Sequence, residues 1–492
     1  MFEYTLASED TPESTALLDR AAAAARAEAH AVFELLVALG ELFVLRLRHS
    51  GECEDWAMDT WDAACAQLSA ALRVSVGKAS SHLKYSVALR NLLPEVGKVL
   101  AAGGIDYQSF RLIVFRTDLV TDPDMLTYVD ASLAALLTRR PSLTRKWLST
   151  AVDQVVARVD ADAVRRCRKS TAGRHVDVDT DGAGIAWITG SVLETDGAAL
   201  DRRFDELAST VCDADPRDRA ERRADAPGAL VAGVDRLVCG CGSRECAATV
   251  PQRRSNVVIY VIADRATVEG SGAAPGVMAD VEGLFSADLI AELARTATHR
   301  PAAWPADAAE SAYTPSAKLA EFVRCRDLAC RAPGCDRPVA ACDIDHAIPY
   351  GNGGPTHPSN LKLLCRQHHL LKIFWGWRDK QLPDGSVIWD LPDGRTYVTT
   401  PGSALLFPHL CASTGDLPRV APDADRSCEN RAAMMPRRTR TRVHSHARYV
   451  GAERARNRCD RIAEEAADAA RMAEAARITG HVAPDWDEPP PF

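Results

Sequence analysis

The sequence contains no uninterrupted apolar stretch of the length that crosses a bilayer. Its most apolar run, residues 31–47, is broken by Glu34, Glu41 and Arg46, so it predicts a buried helix and not a membrane span. The first residues also lack the basic segment followed by an apolar one that marks a secretory signal peptide. These absences argue against a membrane partner and lead us to expect a cytoplasmic protein.

An excess of positive charge is also missing. The 492 residues carry 59 Lys and Arg against 67 Asp and Glu, which gives a net charge of −8. This balance excludes a uniformly basic coat, although a local basic surface is compatible with it. Aromatic residues make up only 6% of the chain. The length favours about two to four domains over a single core.

Cysteine, by contrast, is abundant for a chain expected in a reducing compartment. The 15 cysteines indicate metal ligands or buried thiols, because disulfide frameworks belong to oxidising compartments. Two close pairs stand out, Cys330-x4-Cys335 and Cys365-x2-His368, and Pro333-Gly334 supplies a turn within the first. Since two such pairs complete a tetrahedral shell, they predict a structural zinc ion, with ordinary buried thiols as the alternative.

A group of residues suited to phosphodiester hydrolysis surrounds the second pair. In chain order they are Asp345-His346, Gly353-Gly354, Asn360-Leu361, Leu364-Cys365 and His368-His369. Hydrolysis needs a base to deprotonate water, which a neutral histidine supplies, and a hard divalent cation near the developing charge. This order resembles the HNH, or ββα-metal, nuclease family.

The resemblance implies a role for each of these residues. His346 is the expected general base, and Asp345 and His369 are expected to hold a catalytic Mg²⁺ or Mn²⁺. Asn360 either completes that site or holds the loop that carries His346. Many relatives have cysteine where this chain has His368, so His369 and Cys342 stand as alternative zinc ligands. The two-residue spacing favours His368.

The same segment is locally basic. Between Arg324 and Lys380 there are nine Lys or Arg against five Asp and no Glu. This balance favours contact with phosphate, although a solvated surface has the same composition. We therefore predict that Lys362, Arg366 and Lys372 contact DNA.

Two further resemblances extend over most of the chain. Residues 214–217 and 222–226 resemble the domain of unknown function 222, which precedes HNH modules in actinobacterial proteins. Residues 374–401 resemble the 13E12 repeat family of mycobacteria. These resemblances imply an architecture and a lineage, and they leave homing, defence, repair and mobile-element roles open.

Periodicity divides the part of the chain before the nuclease segment. It predicts a helical bundle over residues 1–170, with a helix starting at Thr11-Pro12 and a break at Pro94. A small α+β region is expected over residues 171–298, because the hydrophobic period changes to two near His175. This region includes a hairpin and a buried strand. A linker rich in proline and alanine follows over residues 299–315.

The rest of the chain completes the predicted architecture. The HNH module with a short β-meander is expected over residues 316–410, because two Pro-Asp-Gly turns separate strand-like runs at 386–390 and 395–399. Residues 411–492 form a basic tail, predicted to be disordered outside a helix at 452–477. The fold class is therefore multidomain: a mainly α N-terminal region with a small α+β part, then a zinc-stapled ββα-metal module and a partly disordered tail.

A third group of thiols, Cys239-x-Cys241-x4-Cys246, contains a glycine-rich turn but no obvious fourth ligand. His175 and Cys212 are too far away in sequence to argue for. A turn with reduced thiols is therefore the favoured interpretation, with part of a metal site as the alternative.

Two functions from different classes fit this sequence. The first is a divalent-metal-dependent endonuclease that hydrolyses phosphodiester bonds in DNA. The second is a non-catalytic nucleic-acid-binding or partner-binding protein that keeps the HNH fold as a zinc scaffold. The enzyme is favoured, because a scaffold needs the zinc ligands but not Asp345, His346, Asn360 and His369.

Overall fold

The computed structural model describes residues 11–139, 144–166, 175–180, 186–243, 245–246, 248, 261–278, 283–295, 297–417 and 434–479. Its helices are α1 (Pro12–Ser50), α2 (Thr60–Leu72), α3 (Val76–Asn91), α4 (Pro94–Ala101), α5 (Tyr107–Thr117), α6 (Pro123–Arg139), α7 (Arg145–Val159), α8 (Glu194–Ala208), α9 (Arg219–Ala232), α10 (Arg265–Val268), α11 (Ala287–Ala294), α12 (Ala317–Asp327), α13 (Arg366–Phe374) and α14 (Arg442–Thr479). Its strands are β1 (His175–Thr180), β2 (Ala186–Ser191), β3 (Val261–Ile262), β4 (Val277–Met278), β5 (Cys342–His346), β6 (Leu361–Cys365), β7 (Arg378–Gln381), β8 (Val387–Asp390) and β9 (Thr396–Thr399). None of the helices in these ranges combines the length and the apolar character that a bilayer crossing requires.

Helices α1 to α7 form the bundle that the helical periodicity predicts. The first helix begins where expected, since the Thr11 side chain accepts a hydrogen bond from Ser14 N at 3.1 Å and caps it. The apolar faces of the helices meet in a core that includes the fully buried Leu36, Phe110 and Val152. This shared burial stabilises the bundle, because short isolated helices are marginal in water.

Pro94 begins helix α4, whereas the sequence indicates only a break there. Proline fits the first position of a helix, where a backbone donor has no partner within the helix. The next two backbone amides, of Glu95 and Val96, donate to the buried carboxylate of Asp130 on α6 at 2.8 and 2.9 Å. The cap of α4 is therefore a residue distant in sequence, and the local pattern carries no sign of it.

The region after the bundle contains the predicted hairpin and a pair of helices. Strands β1 and β2 pair in antiparallel fashion. Helices α8 and α9 pack on each other through a small apolar cluster that includes the buried Leu207, Ala226 and Leu237. Of the strand predicted at residues 257–262, only the last two lie among the described residues, where they form β3 beside β4.

The C-terminal module, residues 317–417, contains the predicted strand–strand–helix order. Strands β5 and β6 pair in antiparallel fashion, and α13 follows β6 directly. Two buried side chains at the end of α12 fix the position of β6. Arg326 Nη2 donates to Leu361 O at 2.6 Å, and Asp327 Oδ2 accepts a hydrogen bond from Leu363 N at 2.9 Å. The predicted meander is present as β7–β8–β9, although its first strand was not predicted.

Helix α2 of the bundle shares a core with this module. The buried Met58, Ala63 and Ala66 belong to one apolar cluster with Trp377 and Trp389. The contact also includes polar groups, since Trp375 Nε1 donates to Met58 O at 3.1 Å. The bundle and the module are therefore joined by a buried interface.

The linker predicted at residues 299–315 lies against the module. Trp304 packs edge-on against Phe322 of α12, with ring centroids 5.5 Å apart. Glu310 N donates to Thr356 O at 2.9 Å in an isolated β-bridge. This segment is therefore an arm that covers part of the module.

The described part of the tail, residues 434–479, packs against the bundle. Helix α14 begins at Arg442, ahead of the predicted start at residue 452, and buries Val450 in the bundle core. Arg454 Nη1 donates to Asp160 Oδ2 at 2.5 Å, which adds an ion pair to this contact. The tail helix is thus longer than predicted, because its basic residues meet carboxylates on the bundle.

Candidate active site

Four predicted zinc ligands meet in the module, beside the core that it shares with α2. Cys330 lies after α12, Cys335 follows a turn, Cys365 ends β6 and His368 lies in the first turn of α13. One ligand atom from each lies within 4.8 Å of the other three, and we call this group the module cluster. His368 Nδ1 lies 3.2 Å from Cys365 Sγ and 3.6 Å from Cys330 Sγ.

The geometry and chemistry of the module cluster fit a zinc ion. Ligand atoms about 2.3 Å from a tetrahedral zinc lie about 3.8 Å apart, and Cys335 Sγ lies 4.0 Å from Cys365 Sγ. His368 is buried, and its Nε2 has no hydrogen-bond partner within the described residues. The polar contacts of its ring are therefore those of Nδ1 with the thiols of Cys330 and Cys365. The Cys342 thiol instead donates to Arg337 O at 3.5 Å.

Gly334 sets the turn between the first two ligands. Its φ of +74° lies in the left-handed region, which glycine adopts without strain. A Cβ at this position would lie 2.8 Å from the backbone oxygen of Ser69 on α2. The Ser69 hydroxyl also donates to Gly334 O at 3.0 Å. The turn between Cys330 and Cys335 is therefore seated directly on the helical bundle.

Asp345 and His369 lie side by side next to this cluster. Asp345 is near the end of β5, His369 is on α13, and their Oδ1 and Nε2 atoms are 3.4 Å apart. Two atoms that share a small divalent cation at about 2.1 Å lie about 3 Å apart, so this pair fits a Mg²⁺ or Mn²⁺ ion. Burial lowers the pKa of His369, which favours the neutral form that binds metal.

The second oxygen of Asp345 is occupied by two ammonium groups. Lys362 Nζ and Lys372 Nζ each lie 2.7 Å from Oδ2. Burial alone would raise the pKa of Asp345, but these two cations lower it to about 2. Asp345 is therefore ionised near neutral pH, and its Oδ1 is the oxygen that faces His369.

The burial of two lysines does not fit the DNA contacts predicted for them. Lys362 is completely buried and also pairs with Asp379 on β7 at 2.6 Å. Lys372 is largely buried, and it pairs with Asp379 at 2.9 Å. Their ammonium groups are directed into the module, where they compensate the buried carboxylates of Asp345 and Asp379. Of the three predicted contacts, Arg366 alone is exposed.

His346 lies at the end of β5, where three side chains surround its ring. Its Nε2 is 3.0 Å from Thr356 Oγ1, and its ring stacks on Tyr313 with centroids 5.3 Å apart. Tyr350 contacts the same ring edge-on. Burial lowers the pKa of His346, so the ring is neutral near pH 7. Sequence reasoning missed Tyr313, because it lies in the segment interpreted as a linker.

The hydrogen bonds of Thr356 fix the tautomer of His346. The Thr356 hydroxyl has one proton, which it donates to Ala312 O at 2.6 Å. Its oxygen therefore accepts from His346 Nε2, and the lone pair of the neutral ring is on Nδ1. Nδ1 is the nitrogen that can take a proton from water.

Asn360 holds the loop after His346. Its Oδ1 accepts from Ile348 N at 2.8 Å, and its Nδ2 donates to Ile348 O at 3.0 Å and to Pro355 O at 2.9 Å. The residue is completely buried, and these bonds use both N–H groups of its amide and one of the two lone pairs of Oδ1. These bonds match one of the two roles expected for Asn360, which is to hold the loop after His346. The other role, completion of the metal site, stays a prediction.

Comparisons with known proteins separate a long N-terminal region from the HNH segment, and the boundary falls at the end of α12. A family model described as "Domain of unknown function (DUF222)" matches residues 23–327, and one described as "HNH endonuclease" matches residues 329–372. No solved structure matches the chain.

Several relatives are similar over long stretches. "Uncharacterized protein Rv2100" of Mycobacterium tuberculosis H37Rv is 44% identical over 477 residues, which cover 88% of this chain and 86% of the relative. "Uncharacterized protein Rv3776" of the same strain is 43% identical over 487 residues, which cover 92% and 93%. A third M. tuberculosis protein, "Uncharacterized protein in est 3'region", is 39% identical over 353 residues, which cover 65% of this chain and all of the relative.

Fold, site and comparisons together define a helical protein with a C-terminal nuclease-type module. The chain belongs to the DUF222 family and carries an HNH endonuclease domain directly after the family's defining region. That domain indicates a nuclease-type role on a nucleic-acid substrate.

Proposed function

We propose that this protein is a divalent-metal-dependent endonuclease that hydrolyses phosphodiester bonds in DNA. One observation carries the proposal: a buried, ionised carboxylate and an imidazole lie 3.4 Å apart, and the neighbouring residue on the same strand is a neutral histidine. The match to an HNH endonuclease domain supports it. A zinc scaffold alone requires none of these three side chains.

The residues of the site divide the work of hydrolysis. His346, held through Nε2 by Thr356, accepts the proton of the attacking water at Nδ1. Asp345 Oδ1 and His369 Nε2 would hold a divalent cation, which would supply positive charge to the phosphate and the leaving oxygen. Lys372 fixes the orientation of Asp345 and also donates to His346 O at 2.6 Å. One ammonium group therefore contacts both the Asp345 carboxylate and the backbone of the general base.

The surface that receives the DNA is expected to include the start of α13. Arg366 is exposed at the first position of this helix. A guanidinium there would meet a phosphate together with the unpaired backbone donors of the helix terminus. We expect Arg366 to contribute affinity that does not depend on base sequence and decreases with salt.

Cleavage of supercoiled plasmid DNA by the full chain tests the proposal. The protein, freed of loosely bound metal, is assayed with Mg²⁺, with Mn²⁺ and with chelator. We expect nicked or linear product with at least one of the cations and none with chelator. If the protein retains its zinc and binds DNA but gives no product with either cation, the endonuclease proposal fails.

One observation favours the non-catalytic alternative. His346 is only 6% exposed as a whole residue, and Tyr313 and Tyr350 pack against its ring. A scaffold protein predicts DNA or partner binding that is insensitive to substitution of His346. The endonuclease instead requires Tyr313, which is 62% exposed, to move aside when DNA binds.

A further inference from the structure

Four cysteines meet beyond the bundle, far from the nuclease module in sequence. Cys212 follows α8, whereas Cys239, Cys241 and Cys246 lie in the loop after α9. All four sulfur atoms lie within 4.8 Å of one another. We call this group the helical cluster. The thiol that sequence spacing could not supply is Cys212, which the packing of α8 on α9 brings to the other three.

The spacing of the sulfur atoms matches a metal site and not a disulfide. Cys212 Sγ lies 3.5 Å from Cys239 Sγ, whereas a disulfide joins its sulfur atoms at about 2.05 Å. Sulfur atoms around a tetrahedral zinc ion lie about 3.8 Å apart. Four cysteines are one of the usual ligand sets of structural zinc sites, and they leave no position open for substrate.

A network of polar contacts holds the loop that carries three of the ligands. Asp215, whose side chain is 1% exposed, accepts a hydrogen bond from Gly240 N at 2.7 Å. Arg217 binds both Asp215 and the backbone oxygen of Val238, at 2.8 and 2.6 Å. Cys239 N donates to Ala248 O at 3.1 Å. Ligand-bearing loops with such fixed backbones are typical of structural metal sites.

The apolar core next to the cluster is small. Its buried members are Leu207, Ala226, Ala229 and Leu237. Two of these are alanines, and the larger apolar residues packed against them, such as Phe204 and Leu230, are only partly buried. Small units of this kind usually require a metal or disulfides for stability. Cys212, Cys241 and Cys246 also line an open depression, which gives an ion a path of entry.

We propose that Cys212, Cys239, Cys241 and Cys246 bind a structural zinc ion that joins α8 to α9. The site lies within the DUF222 region and is separate from the nuclease module in residues and in ligand set. It requires no nuclease activity, so it stands or falls independently of the proposed function.

The zinc content of the full chain tests this proposal. We expect Cys212→Ser and, separately, Cys246→Ser to lower the zinc bound per purified chain by one equivalent relative to wild type, as measured by plasma mass spectrometry. Cys459→Ser is the matched control, because Cys459 is exposed on α14 and lies outside both clusters. Zinc content equal to wild type in both cluster variants would overturn the proposal.

A second measurement on the wild-type chain covers the case in which the variants do not fold. Thiols are alkylated with and without a zinc chelator, and the modified peptides are identified by mass spectrometry. We expect the four cysteines of the helical cluster to be protected from alkylation until the chelator is added. Equal alkylation of all four without chelator would refute the zinc site, as would protection that only a reductant removes, since that result indicates disulfides.

Discussion

The module cluster and the helical cluster have nearly the same size and chemistry, but the chain builds them differently. The module cluster draws its ligands from two close pairs, so its spacing is visible in the sequence. The helical cluster combines one loop with the distant Cys212, which only the packing of two helices supplies. The difference teaches that a set of metal ligands can be predicted from the sequence when each ligand has a second ligand only a few residues away.

The surroundings of the two clusters differ as well. The module cluster lies in a core shared by α2, Leu364, Trp377 and Trp389, whereas the helical cluster lies beside a few alanines and leucines. Loss of the module cluster should therefore also destabilise the helical bundle. Loss of the helical cluster should remain local to α8 and α9.

The largest expected effect comes from Cys335→Ala. Structural zinc contributes about 10–16 kcal/mol of apparent binding free energy in small zinc-dependent peptides, so loss of a ligand should release the ion and unfold the module. Because the core is shared, thermal melting of the bundle should also shift to lower temperature. Circular dichroism and zinc analysis measure both effects.

The comparison variant is Cys246→Ser, which should leave the melting of the module unchanged. Retained zinc and normal melting in Cys335→Ala would contradict the assignment of the module cluster. Equal shifts in the two variants would contradict the difference between a shared and a local core.

The second effect in size concerns the fully buried ammonium group of Lys362 near the module cluster. The charged pair beside the helical cluster, Asp215 and Arg217, instead has a partly exposed guanidinium. Lys362→Ala leaves Asp345 and Asp379 with Lys372 as their remaining ammonium partner. Removing one partner from a buried ion pair costs about 3–5 kcal/mol, and Lys372 should keep the loss near the lower figure. Chemical denaturation of the variant and wild type measures it.

Arg366→Ala is the matched surface change. Its free energy of unfolding should stay within about 0.5 kcal/mol of wild type, while the slope of log affinity for DNA against log salt should fall by about 1. A Lys362→Ala variant as stable as wild type would show that the lysine is not needed to compensate the buried carboxylates.

The third and smallest effect tests how the module cluster is seated on the bundle. Gly334→Ala places a Cβ against the Ser69 backbone and forces a left-handed φ on alanine, which together should cost about 2 kcal/mol. Gly351→Ala is the control, because its Cβ would meet no atom within 4 Å. Equal melting temperatures for the two variants would mean that the turn between Cys330 and Cys335 does not rest tightly on α2.

Much of the fold was predictable because its signals are local. Thr11-Pro12 at a helix start, the hairpin near His175 and the turns of the meander each depend on a few neighbouring residues, and the structure confirms them. The HNH segment was predictable for the same reason, since its residues follow a fixed order over a short stretch.

What the sequence did not show depends on contacts between distant residues. Asp130 caps α4, Tyr313 covers His346, and Cys212 completes the helical cluster. Lysine is usually a surface residue, yet Lys362 is buried, where it pairs with Asp345 and Asp379. None of these pairings leaves a periodic or spaced signal, because each joins elements that only the tertiary fold brings together.

The central claim is that His346 is the base of a metal-dependent nuclease, and plasmid cleavage by His346→Ala tests it most directly. The variant is compared with wild type and with His409→Ala, which changes an exposed histidine of the same module. Each protein is first shown to contain the same amount of zinc. Cleavage should fall about 100-fold or more in His346→Ala and remain unchanged in His409→Ala. Cleavage by His346→Ala at the wild-type rate would contradict the account.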